Sequence, residues 1–124
     1  MPKLKTDDAR ELARHFHAVA VAIGEYRFSS WDKLSRTTRA ELESMEWTLL
    51  NDSSDMTTRA IVLQVEDMSD ALEGIRKAAK KLSKAAASIQ GAKSAIKVGA
   101  NAIALAAAIV TGNAGAIAES ISSI

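Results

Sequence analysis

Few residues of this chain are equipped for chemistry. There are two histidines, His15 and His17, and carboxylates in close pairs such as Glu41/Glu43 and Glu66/Asp67. Glu11 and His15 stand four apart, so on a helix they share a face and could offer two ligands to a metal ion. His17 falls on another face and no third ligand is apparent. The carboxylate pairs lack a positioned partner, and none reads as a general acid or base. Without a cysteine, disulfides, thiolate metal sites and cysteine nucleophiles are excluded. There is no phosphate-cradling Gly-x-x-x-x-Gly-Lys-Ser/Thr loop, no Gly-x-Ser-x-Gly, no His-Glu-x-x-His and no dinucleotide fingerprint. The residues therefore point away from an enzyme, and no cofactor or metal is expected.

Charge carries more information than chemistry. Residues 1–70 hold nine Lys/Arg against thirteen Asp/Glu, whereas residues 71–124 hold seven against two. Arg76, Lys77, Lys80, Lys81, Lys84, Lys93 and Lys97 follow one another with no acid between them. This run is either a solvated face paired with the acidic N-terminal helices or a contact for anionic lipid or another polyanion. It has no interleaved aromatic for base stacking and no helix-turn-helix beside it, which argues against nucleic acid.

The elements that position these groups are helices. Composition is 48% apolar and 25% charged, with five aromatics and one proline, as in an all-α protein. A single all-helical domain over residues 1–124 is expected. Its first helix spans 6–27, opened by the Thr6 hydroxyl and Asp7-Asp8, with a stripe of Leu12, Phe16, Val19, Ile23 and Tyr26. A second spans 31–51, with starts allowed at Ser30 and at the capping box Thr38-Arg39-Ala40-Glu41. Asn51-Asp52-Ser53-Ser54-Asp55, all turn and cap formers, closes it.

From Ile61 to Val110 an apolar residue recurs every 3.5 positions. Ile61, Val65, Met68, Leu72, Ile75, Leu82, Ile89 and Ile96 head the row, and only Lys93 interrupts it. The row predicts one long helix over 55–110, roughly 80 Å at 1.5 Å per residue, serving as an oligomer seam. Gln90-Gly91 is the one place where it could turn into a hairpin, but the phase runs through unbroken. Thr111-Gly112-Asn113-Ala114-Gly115 is a stop, followed by a last turn over 116–121. The fold class is all-α: an elongated bundle or hairpin built on one long heptad-patterned helix, with two shorter N-terminal helices packed along it.

Residues 98–118 carry no charge and have about the length a membrane-spanning helix needs. Ala100, Ala104 and Ala108 would let helices approach closely. Only six of the 21 are large aliphatics, three are glycines, and no aromatic marks either interface, so a lone copy inserts marginally. The order of a basic stretch followed by an uncharged one, over 76–118, resembles in design the helical pore-forming and membrane-perturbing proteins, which hide an apolar helix until triggered. That resemblance implies a self-associating protein in which Lys77, Lys80, Lys81 and Lys84 meet anionic headgroups while Ile103, Leu105, Ile109 and Val110 enter the apolar layer. The competing expectation is a soluble coiled-coil adaptor whose long helix docks a helical protein partner. The N-terminus lacks the apolar core of a cleavable signal peptide, so a cytoplasmic, membrane-associated location is expected.

Overall fold

The computed structural model describes residues 3–124. Four helices run alternately up and down and a short fifth follows: α1 (Thr6–Ser29), α2 (Arg36–Thr58), α3 (Met68–Ala87), α4 (Ala92–Thr111) and α5 (Ala114–Ser122). α1 packs on α2 and α3, α4 packs on α2 and α1, and α5 bridges α4 and α3. Pairings fix the directions. Arg27 meets Glu46 and Ala13 meets Ser53, so α1 and α2 are antiparallel; Asp8 meets Arg76 and His15 meets Ser83, so α1 and α3 run together.

All-α is what the structure shows, but as a bundle of comparable helices; the single long helix over 55–110 is not present. Two breaks divide that stretch. The first is Arg59–Asp67, an extended segment in which Ile61 and Leu63 are buried while Val62 and Gln64 face outward. That alternation is the period of two of an extended chain. Leu4 donates its N–H to Ile61 O (2.8 Å), and Gln64 donates to Gly112 O (2.8 Å). The second break, Ser88–Gly91, reverses the chain between α3 and α4.

The proposed stop at Asn51–Asp55 lies instead inside α2. Its cap-forming side chains are reused: the Ser53 hydroxyl donates to Ala13 O (2.9 Å) in the core, and Thr57 and Thr58 donate back to Ser54 O. Tertiary burial of Leu49 and Met56 on either side carries the helix through. The N-terminal helices, 24 and 23 residues long, are thus the longer ones. α1 starts at Thr6 as expected, but the helix caps differ from expectation. Lys5, not Thr6, stands at the α1 N-cap, and no side chain caps it. Trp31–Lys33 is one tight 3-10 turn, after which Ser35 caps α2 by accepting from Thr38 N–H (3.1 Å).

Leu12, Phe16, Ile23, Leu42, Leu49, Met56, Leu63, Ile75, Leu105 and Ile109 are fully buried. α4 is the small-residue element that lets the others close around it. At Gly99 an added Cβ would sit 2.6 Å from Met45 Sδ and 3.2 Å from Ile23 Cδ1. At Gly112 the backbone turns left-handed (φ 73°), its N–H closes the helix on Ala108 O and Ile109 O, and a Cβ would overlap the Val62 carbonyl. This glycine allows α4 to stop against the extended segment.

Candidate functional site

The oligomer seam expected along 61–110 is taken up within the chain itself. Ile61, Leu72, Ile75 and Leu82 are buried in the monomer, and Val65, Met68, Ile89 and Ile96 are half-buried against the same core. Beyond the turn at Gly91 the phase changes face. The core side of α4 is Ala95, Val98, Ala102, Leu105, Ala106 and Ile109, whereas Ala100 and Ala107 of the predicted row are exposed. A helix apolar nearly all round can continue one row in sequence while burying another.

The eight residues assigned to lipid contact divide sharply. Leu105 and Ile109 are fully buried, and Ile103 and Val110 are half-buried. α4 is long and apolar enough to cross a bilayer, but much of it forms the core of the bundle. Lys77, Lys80, Lys81 and Lys84 are all exposed. Lys77 pairs with Glu73 on its own helix (3.2 Å), while no carboxylate among the described residues lies within 4 Å of the other three. Pairing between the basic run and the acidic first helix is confined to Arg76, held by Asp8 and by Glu11 at 2.9 Å. The Glu11/His15 pair is drawn into the same α1–α3 contact, with His15 Nδ1 3.3 Å from Ser83 Oγ, and no cluster of three ligating side chains forms among the described residues.

What the linear sequence hides is where the charge goes. With α1 and α3 running up and α2 and α4 running down, the α1–α2 and α3–α4 connections lie at one end. Within about 10 Å of that end, taking 1.5 Å per residue, stand nine Lys/Arg and four Asp/Glu; the opposite end holds ten Asp/Glu and four Lys/Arg. The half-and-half asymmetry of the sequence has become an end-to-end asymmetry of the molecule.

The basic end is built on aromatics. Phe28 and Trp31 stack with centroids 6.1 Å apart, the Arg27 guanidinium lies 4.6 Å over Phe28, and that of Arg39 lies 4.5 Å over Trp31. Arg39 also donates to Leu34 O (3.1 Å), which closes the turn. Arg27 is nearly buried and donates to Glu46 at 2.6 Å, so hydrogen bonding and the adjacent carboxylate raise its pKa above the usual arginine value. At the same end of the bundle Lys33, Arg36, Lys84, Lys93 and Lys97 are exposed and have no carboxylate within 4 Å among the described residues.

Comparison of the chain with family models, curated proteins and solved structures finds no match. The functional reading therefore rests on this geometry.

Two of these cations are placed against helix stability. Arg36 begins α2 and Lys93 falls in the first turn of α4, both at the positive end of a helix dipole, and neither first turn has an acid. Sequence reasoning found the lysines but not Lys33, Arg36 or Trp31. The available signal was the stretch Arg27 to Arg39, with four cations and one acid around two aromatics, well before the basic run begins at Arg76.

Proposed function

We propose that this protein engages anionic membranes, docking through the basic end of its bundle and holding α4 as the apolar segment available for insertion. The observation that carries the reading is the set of unpaired cations at the Trp31 end of the bundle, two of them at helix N-termini where they oppose stability. Such a surface, with exposed N–H groups at the starts of α2 and α4, suits phosphate headgroups. Each cation brought near an anionic bilayer contributes about 1 kcal/mol, and the Trp31 ring suits the headgroup layer. Insertion is a separate step, since Leu105 and Ile109 reach lipid only if the bundle opens.

Flotation with anionic and neutral vesicles, at low and high salt, tests this. Binding to anionic vesicles that is lost at high salt is expected for docking, and binding that persists at high salt for insertion. The triple change Lys84→Glu, Lys93→Glu and Arg36→Glu is expected to abolish docking while leaving the helical signal intact. Equal flotation of the variant and the native chain would remove the reading. Aspartate at Leu105 and Ile109 is not a clean probe, because both sites lie in the monomer core.

A second reading, a helical protein-binding module, is favoured by one feature elsewhere. Between α1 and α2 runs an outward groove of about 630 Å³ lined by Ala20, Val21, Gly24, Phe28, Glu46 and Leu50.

A further inference from the structure

Among the described residues five large apolar side chains are exposed, and three of them, Val21 (44%), Trp47 (61%) and Phe28 (67%), stand on the outer face of α1 and α2. Val21 and Phe28 line the 630 Å³ groove, Gly24 lets the Glu46 carboxylate pack against α1, and Trp47 follows Glu46 on α2. Further along the same two helices lies a second hollow of about 440 Å³, lined by Arg10, Ala13, Arg14, His17, Ser53 and Thr57 among others. Exposed large apolar groups concentrated in this way mark an interaction surface.

Charge names the occupant. On α1 the spacing Arg10, Arg14, His17, Val21, Glu25, Phe28 keeps these residues on one face. Along α1 the cations Arg10 and Arg14 stand at one end of the face and the acid Glu25 at the other, with Glu43 and the cation Arg36 across on α2. Arg10, Arg14, Glu25 and Glu43 are exposed and have no partner of opposite charge within 4 Å among the described residues. The α1 stripe, basic at one end and acidic at the other with an apolar middle, is complementary to itself turned through 180°.

We propose that two copies of this chain pair antiparallel through the α1/α2 face. A twofold axis across α1 between Ala18 and Val21 sets Arg14 of one copy against Glu25 of the other and Val21 against Ala18. By the same operation Trp47 stands over the Arg14–Thr57 hollow, so each copy supplies one knob and one hole. The pair is isologous, as most dimers are. The face is about 35 Å long and two helices wide, a footprint near the ~800 Å² per partner that stable pairs bury. The residues differ from those of the predicted seam, and the proposal does not rest on lipid binding, because Arg14 and Glu25, whose charges pair the copies, are not among the cations assigned to docking.

Sedimentation velocity over a concentration series tests it. The native chain is expected to dimerise, and Arg14→Glu or Glu25→Arg alone to weaken the pair by about tenfold or more, since each sets like charges against one another twice. Carried together on one chain, the two changes recreate the opposite-charge contacts and are expected to restore the dimer. Trp31→Phe leaves Trp47 as the sole indole, and its emission is expected to shift to the blue as the pair forms. Circular dichroism of each variant guards against misfolding. A native chain that stays monomeric, or a dimer indifferent to both single reversals, overturns the proposal. Neither result touches vesicle flotation, so this interface and the lipid reading stand or fall separately.

Discussion

The two ends of the bundle are closed by different physics. At the acidic end the backbone does the joining: Leu4 to Ile61, Gln64 to Gly112, the Lys3–Val62 bridge, and a glycine packed on a carbonyl. Several of its acids are also where helices want them. Asp7 and Asp8 start α1, Asp70 lies in the first turn of α3, and the Asp67 carboxylate caps that helix by accepting from Asp70 N–H (3.2 Å). At the basic end side chains do the joining, through the Arg27–Glu46 pair and the Phe28–Trp31–Arg39 stack. There Arg36 and Lys93 oppose the dipoles they sit on. Much of the charge at the acidic end is accounted for by folding, whereas Arg36 and Lys93 at the basic end are not. That difference marks the basic end as the place to look for function, on the principle that local rules are broken where something else is gained.

The sharpest way to break the comparison is at Gly112. Gly112→Ala combines left-handed strain with overlap on the Val62 carbonyl and is expected to lower stability by about 3 kcal/mol or more, read from the urea midpoint. At the other end, Glu46→Gln leaves the nearly buried Arg27 without its charge partner. A loss of about 1–3 kcal/mol is expected in the same assay. If this loss equals that of Gly112→Ala, the side-chain closure is as strong as the backbone one.

Smaller changes sharpen the contrast. Lys93→Glu and Arg36→Glu are each expected to raise stability by about 0.3–1 kcal/mol by reversing an unfavourable charge at a helix start, while weakening flotation with anionic vesicles. Loss of stability in both would show that these cations serve the fold. The smallest effect concerns Asp52, whose pKa is raised from 3.8 by burial and then by the neighbouring Asp55. Because the folded state holds this proton more tightly than the unfolded one, ionisation of Asp52 weakens the fold as pH rises from 3.8 through the raised value. Asp52→Asn is therefore expected to raise the thermal midpoint at pH 7, with the gain vanishing in acid below the unfolded value.

Much of the helical content was legible. The α1 stripe of Leu12, Phe16, Val19 and Ile23 is buried as its spacing demands, and the stop at Gly112 falls where a left-handed glycine ends α4. Two features misled. The 3.5-residue row crosses two breaks because Ile61 and Val65 also fit an extended chain, and because α4 is apolar on more than one face. The cluster Ile61-Val62-Leu63 before the Asp67 cap was the signal of an extended segment. Likewise Ser53 reads as a turn former until Ala13 O is there to accept from it.

Composition and periodicity, which act within a few turns of chain, determined that this protein is helical, where α1 begins and α4 ends, and that cations gather after Arg76. Only the tertiary structure decided which apolar row is core and which is surface, since that depends on the helix lying opposite. The antiparallel path through α2 and α4 decided the rest: it brings Arg36 and Lys33 to the same end as Lys84 and Lys93, residues some 50 positions apart. Charge sums along the chain, but the field it makes depends on where the turns fold it.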